Sequence, residues 1–268
     1  MTKVRVHATN IIGTGAIQLF NSLFPELVRL GEVQKAYVSS EIEASTLQTL
    51  AGKGTKVCRT DRRLPKALSR VLECTVFAKR FQGEGALLVL GDIPLRGVRH
   101  QVVLVHSPYI LRSASRFQRS EWKYIVSRAL FNLNARYVAA FVVQSQVMRE
   151  GLVASFPALR DRVHIIPQPP PEWILTEEVV QPRSNLNEGL RLFYPAAGYI
   201  HKNHILLRNL NMDAALGPAL KQIILTISPD NNQGLQPEFL RCVGPLGEME
   251  MTKHYRKADA LLFLSKKE

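Results

Sequence analysis

Short apolar runs alternate with amphipathic segments along most of this 268-residue chain, and that alternation limits the folds it can adopt. Helical spacing of apolar residues separates most of the runs, most clearly in 64–81 and 116–136. Strands that alternate with helices form a parallel sheet covered by helices. We therefore predict a complete doubly wound domain over residues 1–167. Its strands are expected at 4–8, 34–38, 56–59, 87–90, 102–106, 140–144 and 163–166.

The prolines at 169–171 interrupt this pattern, and the polar, acidic stretch 168–189 is typical of an interdomain linker. The alternation resumes in 190–268, with helices predicted from about 204 and at 251–256. The predicted fold is therefore α/β, with two doubly wound, Rossmann-like parallel-sheet domains, of which the second is incomplete. Strands of the second domain are expected at 191–194, 222–228, 241–243 and 260–264.

The cysteines argue against a disulfide framework or a metal cluster. Cys58, Cys74 and Cys242 are few and scattered, so we expect reduced thiols in a cytoplasmic protein. No apolar stretch reaches the roughly 18–20 residues that span a bilayer, and the N-terminus has no signal-peptide core. We expect a protein that is neither secreted nor membrane-spanning.

Basic residues are concentrated in the first half of the chain. Residues 1–150 hold 22 Lys and Arg against 10 Asp and Glu, a net charge of +12, whereas the remainder holds 13 against 12, a net charge of +1. This asymmetry suggests an anionic partner, namely nucleic acid, an anionic membrane or a phosphorylated acceptor. A surface that is cationic only for solubility is the alternative.

Two segments carry much of this charge. Residues 53–80 contain nine basic and two acidic residues. The second segment places four cations at helical spacing, where they form a stripe that can contact anionic lipid or an acceptor. A solvated helix face explains the same spacing. The four cations are Arg112, Arg116, Arg119 and Lys123.

Gly13 and Gly15 lie between the first predicted strand and its helix. Glycine there allows the backbone to approach a ligand, and a helix N-terminus offers N–H groups to an anion. The third glycine and the acidic residue of a dinucleotide-binding fingerprint are absent. A plain tight turn explains the pair equally well.

His201, Lys202 and His204 are predicted to open a helix directly after the strand 191–194. Cations at that end oppose the helix dipole, which suggests that a phosphate normally sits there. A zinc site needs a third ligand that the neighbourhood does not supply. A solvated loop lysine is the simplest alternative.

His106 ends the predicted strand 102–106, and Asp92 follows the predicted strand 87–90. The carboxyl ends of parallel strands line the ligand site in doubly wound sheets, so His106 is placed where a ligand would lie. A histidine that is only hydrogen-bonded at a strand end is the alternative. Because no Asp-x-Asp pair lies in a convincing loop, we expect neither a required metal nor a cofactor.

The motifs after the linker resemble those of the family 4 retaining glycosyltransferases, two-domain enzymes of the GT-B type. Tyr194-Pro followed by His201-Lys-Asn-His204 is similar to the first strand and helix of that family's donor domain. The stretch from Gly244 to Ser265 is similar to a run that the family continues into two glutamates, and Glu268 matches the first of them.

Two earlier segments agree in order and spacing. Residues 142–151 and 163–167 are similar to the strand, helix and final strand of the family's acceptor domain. The resemblance extends over most of the chain and is strongest from 138 to 268. The family often has an arginine five residues before its lysine, and Ala197 occupies that place here.

The resemblance implies transfer of a hexose from a nucleotide-sugar donor to a saccharide or lipid-linked acceptor, in the synthesis of a cell-surface polysaccharide or lipopolysaccharide. It implies that Lys202 contacts the donor diphosphate, and that His106 and Glu268 act at the donor sugar as the catalytic residues. Gly13 and Gly15 would allow the backbone to approach the donor. A peripheral association with the inner face of the cytoplasmic membrane, through the basic segments, is also expected.

Two other functions fit the same sequence. A nucleotide-sugar epimerase of the same architecture would act without an acceptor. A nucleic-acid-binding protein would use the basic half, although no recognised motif supports it. Because the second domain ends after about half a doubly wound sheet, we expect the 268-residue chain to be an inactive fragment.

Overall fold

The structure, a computed structural model, forms two compact units, Met1–Pro171 and Glu172–Glu268. Each unit contains its own parallel sheet. None of the helices in the described part is long and apolar enough to cross a membrane. The structure describes residues 3–11, 13–30, 33–42, 47, 54–61, 64–111, 122–168, 189–209, 220–229 and 239–265.

The first unit is built on a sheet of seven parallel strands in the order β3-β2-β1-β4-β5-β6-β7. All seven strands predicted from the apolar runs are confirmed, with ends that differ by one or two residues. The strands are β1 (Val4–Ala8), β2 (Val33–Ser39), β3 (Lys56–Thr60), β4 (Ala86–Val89), β5 (Gln101–Leu104), β6 (Val138–Val143) and β7 (Val163–Ile165).

Four α-helices of the first unit are described. The predicted helix over 64–81 is divided, since the α-helix ends at Cys74 and a 3-10 turn follows at Ala78–Phe81. The helix predicted over 116–136 is described from Trp122 to Asn134. The α-helices are α1 (Thr14–Arg29), α2 (Lys66–Cys74), α3 (Trp122–Asn134) and α4 (Gln146–Ser155).

Helix α1 continues through Pro25, which the sequence led us to expect as an interruption or kink. Phe20 and Phe24 are fully buried and stack with ring centroids 4.7 Å apart. Burial of two phenylalanine side chains contributes several kcal/mol, and this is comparable with the roughly 3 kcal/mol cost of an interior proline. The packed face therefore holds the helix together.

Alternate residues of the central strands supply two hydrophobic cores, one on each face of the sheet. In β1, Val6 and Ala8 pack with the core that includes Phe20 and Phe24. In β4, Leu87 and Val89 pack with the core that includes Phe131 and Phe141. Burial on both faces explains why β4, β5 and β6 are nearly continuous apolar runs.

The second unit contains a four-stranded parallel sheet in the order β10-β9-β8-β11. All four predicted strands are present, although β9 begins and ends earlier than expected and the strand expected over 260–264 ends at Leu261. The helix expected from about 204 is a 3-10 helix, His204–Asn209, as far as the structure describes it. The elements are β8 (Leu190–Tyr194), β9 (Leu220–Leu225), β10 (Leu240–Cys242), α5 (Glu248–Lys257) and β11 (Ala260–Leu261).

Candidate functional site

Strand order reverses once in each sheet. In the first unit the reversal separates β1 from β4, and in the second it separates β8 from β11. Open α/β sheets bind ligands outside the carboxyl ends of the strands at such a point. A ligand site is therefore expected in the segments that follow these four strands.

The glycine pair lies at the reversal of the first sheet. Gly13 has φ 86, a backbone conformation that favours glycine, and it precedes α1 without a side-chain cap. A Cβ built on Gly15 meets nothing within 4 Å. The conformation explains Gly13 as a turn residue, and the role of both glycines in donor binding stays a prediction.

His106 and Asp92, which sequence reasoning placed after neighbouring strands, are in contact. The Asp92 Oδ1 accepts hydrogen bonds from the backbone amides of His106 at 2.8 Å and Ser107 at 3.0 Å. The same oxygen lies 3.3 Å from the His106 Nδ1. Both side chains are partly exposed. The His106 imidazole therefore lies at the carboxyl edge of the sheet, and the Asp92 carboxylate holds the His106 backbone in place.

A buried polar cluster beneath this edge was missed by sequence reasoning. The Glu73 Oε1 accepts hydrogen bonds from Arg70 Nη1 at 2.6 Å and Thr9 Oγ1 at 2.8 Å, and it lies 3.2 Å from His7 Nε2. Arg70 and Glu73 are each 7% exposed, and His7 is fully buried. Arg70 was counted with the basic surface of 53–80, and its burial corrects that assignment.

The charges of this cluster favour an ionised Glu73. Burial alone would raise the pKa of the carboxyl group, but the His7 hydrogen bond and the charges of His7 and Arg70 lower it well below its ordinary value. Because the folded pKa is depressed, Glu73 contributes stability that is lost as the pH falls below the carboxyl group's ordinary range. The first unit should therefore keep this contribution at neutral pH.

Lys202 lies at the reversal of the second sheet, within a turn anchored to the core. The Tyr194 hydroxyl donates to the Lys202 carbonyl at 2.7 Å and lies 3.5 Å from the Ser265 hydroxyl. Tyr194 ends β8, so its hydroxyl ties the turn to that strand, and Ser265 lies in the segment after β11. Burial lowers the pKa of the Lys202 ammonium group.

His204 faces the interior instead of a ligand at the surface. His204 is 2% exposed, and its ring packs against the Tyr194 ring with the two centroids 5.0 Å apart. Among the described residues, His204 Nε2 and Asn203 Oδ1 are buried without a hydrogen-bond partner. Burial and the charge of Lys202 lower the pKa of His204, against a hydrogen bond to Ala196 that raises it.

The backbone around Lys202 also differs from the helix start that the sequence predicted as a phosphate site. Asn203 has φ 58 and separates two 3-10 segments, Ile200–Lys202 and His204–Asn209. Lys202 closes the first of these segments, which has only three residues, instead of lying in the first turn of an α-helix. Among the described residues, the group at this turn that can bind an anion is therefore the Lys202 ammonium group.

Several predicted site residues lie outside the described part of the chain. Glu268 is one of them, and the side chain of His201 is another. Within the part that the structure describes, no three His, Cys, Asp or Glu side chains come together as metal ligands. The basic stripe also lies outside it, namely Arg112, Arg116, Arg119 and the side chain of Lys123.

Solved structures share this architecture. Anabaena HepE in complex with UDP and glucose matches with a TM-score of 0.62 at 11% identity, over 99% of this chain and 74% of its own. A glycosyltransferase from Rickettsia africae matches with a TM-score of 0.52 at 13% identity, and the match covers 98% of this chain and 73% of that protein. A Listeria monocytogenes protein assigned as a UDP-N-acetylglucosamine 2-epimerase matches with a TM-score of 0.50 at 12% identity, and the match covers 97% of this chain and 73% of that protein.

No protein-family model and no curated protein sequence matches the chain. At identities of 11–13% the three likenesses establish the fold and leave the family open. The chain has the GT-B architecture of two Rossmann-like domains, the second incomplete, and the described residues form seven strands in the first sheet and four in the second.

The depressed pKa of His204 predicts acid sensitivity of the second unit. Between the lower folded pKa and the ordinary value of 6.5, the unfolded state binds more protons, so the unfolding free energy falls as the pH drops through this window. Hydrogen exchange of the Ile223 and Val243 amides, corrected for intrinsic rates, should show this loss. His204→Gln should weaken the dependence without abolishing it, because burial also lowers the pKa of His254 in the same unit. His164→Gln on β7 should leave the dependence unchanged. Equal pH dependence in wild type and His204→Gln would contradict the assignment.

Proposed function

We propose that this chain is a retaining glycosyltransferase of family 4 that transfers a hexose from a nucleotide sugar to an acceptor. The observation that carries the proposal is the Lys202 turn, which lies at the strand reversal of the second sheet and is anchored to β8 through Tyr194. That is the position at which a doubly wound domain binds a nucleotide. HepE, which has the same fold, was solved with UDP and glucose.

In this proposal Lys202 binds the donor diphosphate. Burial disfavours the charged form of its ammonium group, and an anion beside it would offset that cost. A charge held in place before the reaction stabilises the departing diphosphate without reorganisation. Lys202 therefore serves both donor binding and departure of the leaving group.

His106 and Glu268 act at the donor sugar. His106 supports this role through its position after β5, where the Asp92 carboxylate fixes its backbone. Gly13 and Gly15 allow the backbone before α1 to approach the donor. Catalysis then comes mainly from positioning, and it requires neither a metal nor a cofactor.

Loss of the Lys202 ammonium group should weaken nucleotide-sugar binding. A hydrogen bond to a charged group contributes about 1.5–3 kcal/mol, so Lys202→Ala should raise the Kd about tenfold to a hundredfold. Calorimetry of the chain with a panel of UDP-, GDP- and ADP-sugars measures this change. Lys221→Ala, an exposed residue of β9, is the matched control and should bind as wild type does.

Two results would contradict the role of Lys202. One is equal affinity of wild type and Lys202→Ala for the sugar nucleotide that binds best. The other is no measurable binding of any sugar nucleotide in the panel by the wild-type chain.

An epimerase is the second candidate function, because a protein assigned as a UDP-N-acetylglucosamine 2-epimerase shares the fold. An epimerase interconverts its sugar nucleotide without an acceptor. Incubation of the chain with a sugar nucleotide alone, followed by NMR of the sugar, separates the two functions. An epimeric sugar nucleotide would favour the epimerase.

We also propose that the protein acts at the inner face of the cytoplasmic membrane, on a saccharide or lipid-linked acceptor used for cell-surface polysaccharide or lipopolysaccharide. The segment after α2 supports contact with lipid, because Val76 is 66% exposed and Phe77 37% exposed beside the exposed Lys79 and Arg80. The Arg80 guanidinium lies 4.0 Å from the Phe77 ring centroid. Apolar side chains among cations are typical of interfacial contacts.

Charge reversal should therefore release the protein from acidic vesicles. In flotation at low salt, wild type should bind vesicles containing phosphatidylserine, and binding should fall as salt rises, since charges are screened within about 8 Å at physiological ionic strength. Lys79→Glu/Arg80→Glu and Arg112/Arg116/Arg119/Lys123→Glu should bind less, and Lys221→Glu should not change. Equal flotation of wild type and all variants would show that the basic residues of the first half do not bind acidic membranes.

A further inference from the structure

The turn after β4 contains a residue in an unfavourable conformation. Asp92 has φ 61, and the left-handed region costs a residue with a side chain about 1–2 kcal/mol. The Ile93 amide donates to the Gly91 carbonyl at 2.7 Å, which closes the turn. Such a conformation persists only where surrounding contacts determine it.

Arg70 supplies those contacts from α2. Its Nη2 donates to the Gly91 carbonyl at 2.6 Å and lies 3.4 Å from the Ile93 carbonyl, so it binds the carbonyls on both sides of Asp92. A Cβ at Gly91 would lie 2.8 Å from that nitrogen and 3.1 Å from the Cβ of Asn10. Glycine is therefore required at 91 for the guanidinium to reach the turn.

The other side of the guanidinium is fixed by Glu73. Arg70 Nη1 donates to Glu73 Oε1 at 2.6 Å, and the same oxygen accepts from Thr9 after β1 at 2.8 Å. A lysine at 70 has one nitrogen and cannot span both Glu73 and the turn. The fork of arginine thus connects β1 to the turn that follows β4.

We infer that Arg70 is a positioning residue for His106, because it sets the turn whose Asp92 carboxylate holds the His106 and Ser107 amides. The sequence of contacts is Glu73 to Arg70, Arg70 to the carbonyls that flank Asp92, and Asp92 to the segment after β5. The effect of Arg70 on activity rests on the proposed role of His106 at the donor sugar. The effect of Arg70 on the conformation of the His106 segment can be tested without any ligand.

Hydrogen exchange of single amides separates positioning from general stability. In Arg70→Lys the amides of His106 and Ser107 should exchange at least tenfold faster. The Val105 amide, which donates to the Val142 carbonyl at 2.8 Å within the sheet, should keep its protection. Asp92→Ala is the positive control, since it removes the acceptor itself. Arg70→Lys added to Asp92→Ala should give no further increase beyond about twofold, because both act through one contact.

Gly91→Ala provides an independent test that leaves Arg70 and Glu73 in place. Its methyl group should displace the guanidinium and accelerate exchange at His106 and Ser107 in the same way. Unchanged exchange at both amides in Arg70→Lys and Gly91→Ala would overturn the inference. So would an equal acceleration at Val105, or loss of folding in both variants, because each indicates a purely structural role.

The positioning of His106 by Arg70 and the proposed glycosyltransferase function can be disproved independently of each other. Exchange at His106 can respond as expected in a protein that binds no sugar nucleotide. Conversely, donor binding through Lys202 can be confirmed while Arg70 leaves His106 unaffected.

Discussion

A carboxylate removed from water beneath the carboxyl edge of the first sheet must be neutralised, since burying an unpaired charge costs several kcal/mol. Glu73 meets this requirement with three partners from two elements, Arg70 on α2 and His7 and Thr9 at the end of β1. Its interaction ties the helix to the central strand. The geometry of the turn after β4, and through it the segment of His106, depends on this pairing.

The two sheets place different chemistry at equivalent positions. At the reversal of the first sheet, Gly13 and Asp92 shape the backbone, and His106 presents a partly exposed imidazole. At the reversal of the second, a turn held by the Tyr194 hydroxyl presents Lys202. The proposed function assigns contact with the donor sugar to the first of these positions and binding of the diphosphate to the second.

The strands of the first sheet were predictable from sequence because both faces of that sheet are buried. Leu87 and Val89 of β4 pack on one face of the sheet, and Leu88 and the residue that follows the strand, Leu90, pack on the other, so 87–90 is a continuous apolar run. The positions of His106 and Lys202 after strands were predictable for the same reason, since the carboxyl end of a parallel strand fixes the edge on which the next residues lie.

Contacts between distant segments were not predictable. Arg70 looks like any other cation of the basic stretch 53–80, and only the approach of Glu73, Gly91 and Ile93 shows that it is buried. Likewise the spacing of His201, Lys202 and His204 suggested a helix start. The left-handed Asn203 and the buried His204 ring replaced it with two 3-10 segments. In both cases tertiary packing overrides a local pattern that the sequence displays clearly.

We propose that the carboxyl edge of the second sheet binds the donor. Photolabelling with an azido-uridine sugar nucleotide, followed by peptide mapping, locates the donor site. Labelled peptides should come from 195–209 or 262–265, the segments that follow β8 and β11, and the label should be lost when UDP is added in excess. Label confined to the first unit, or label that UDP does not displace, would contradict it.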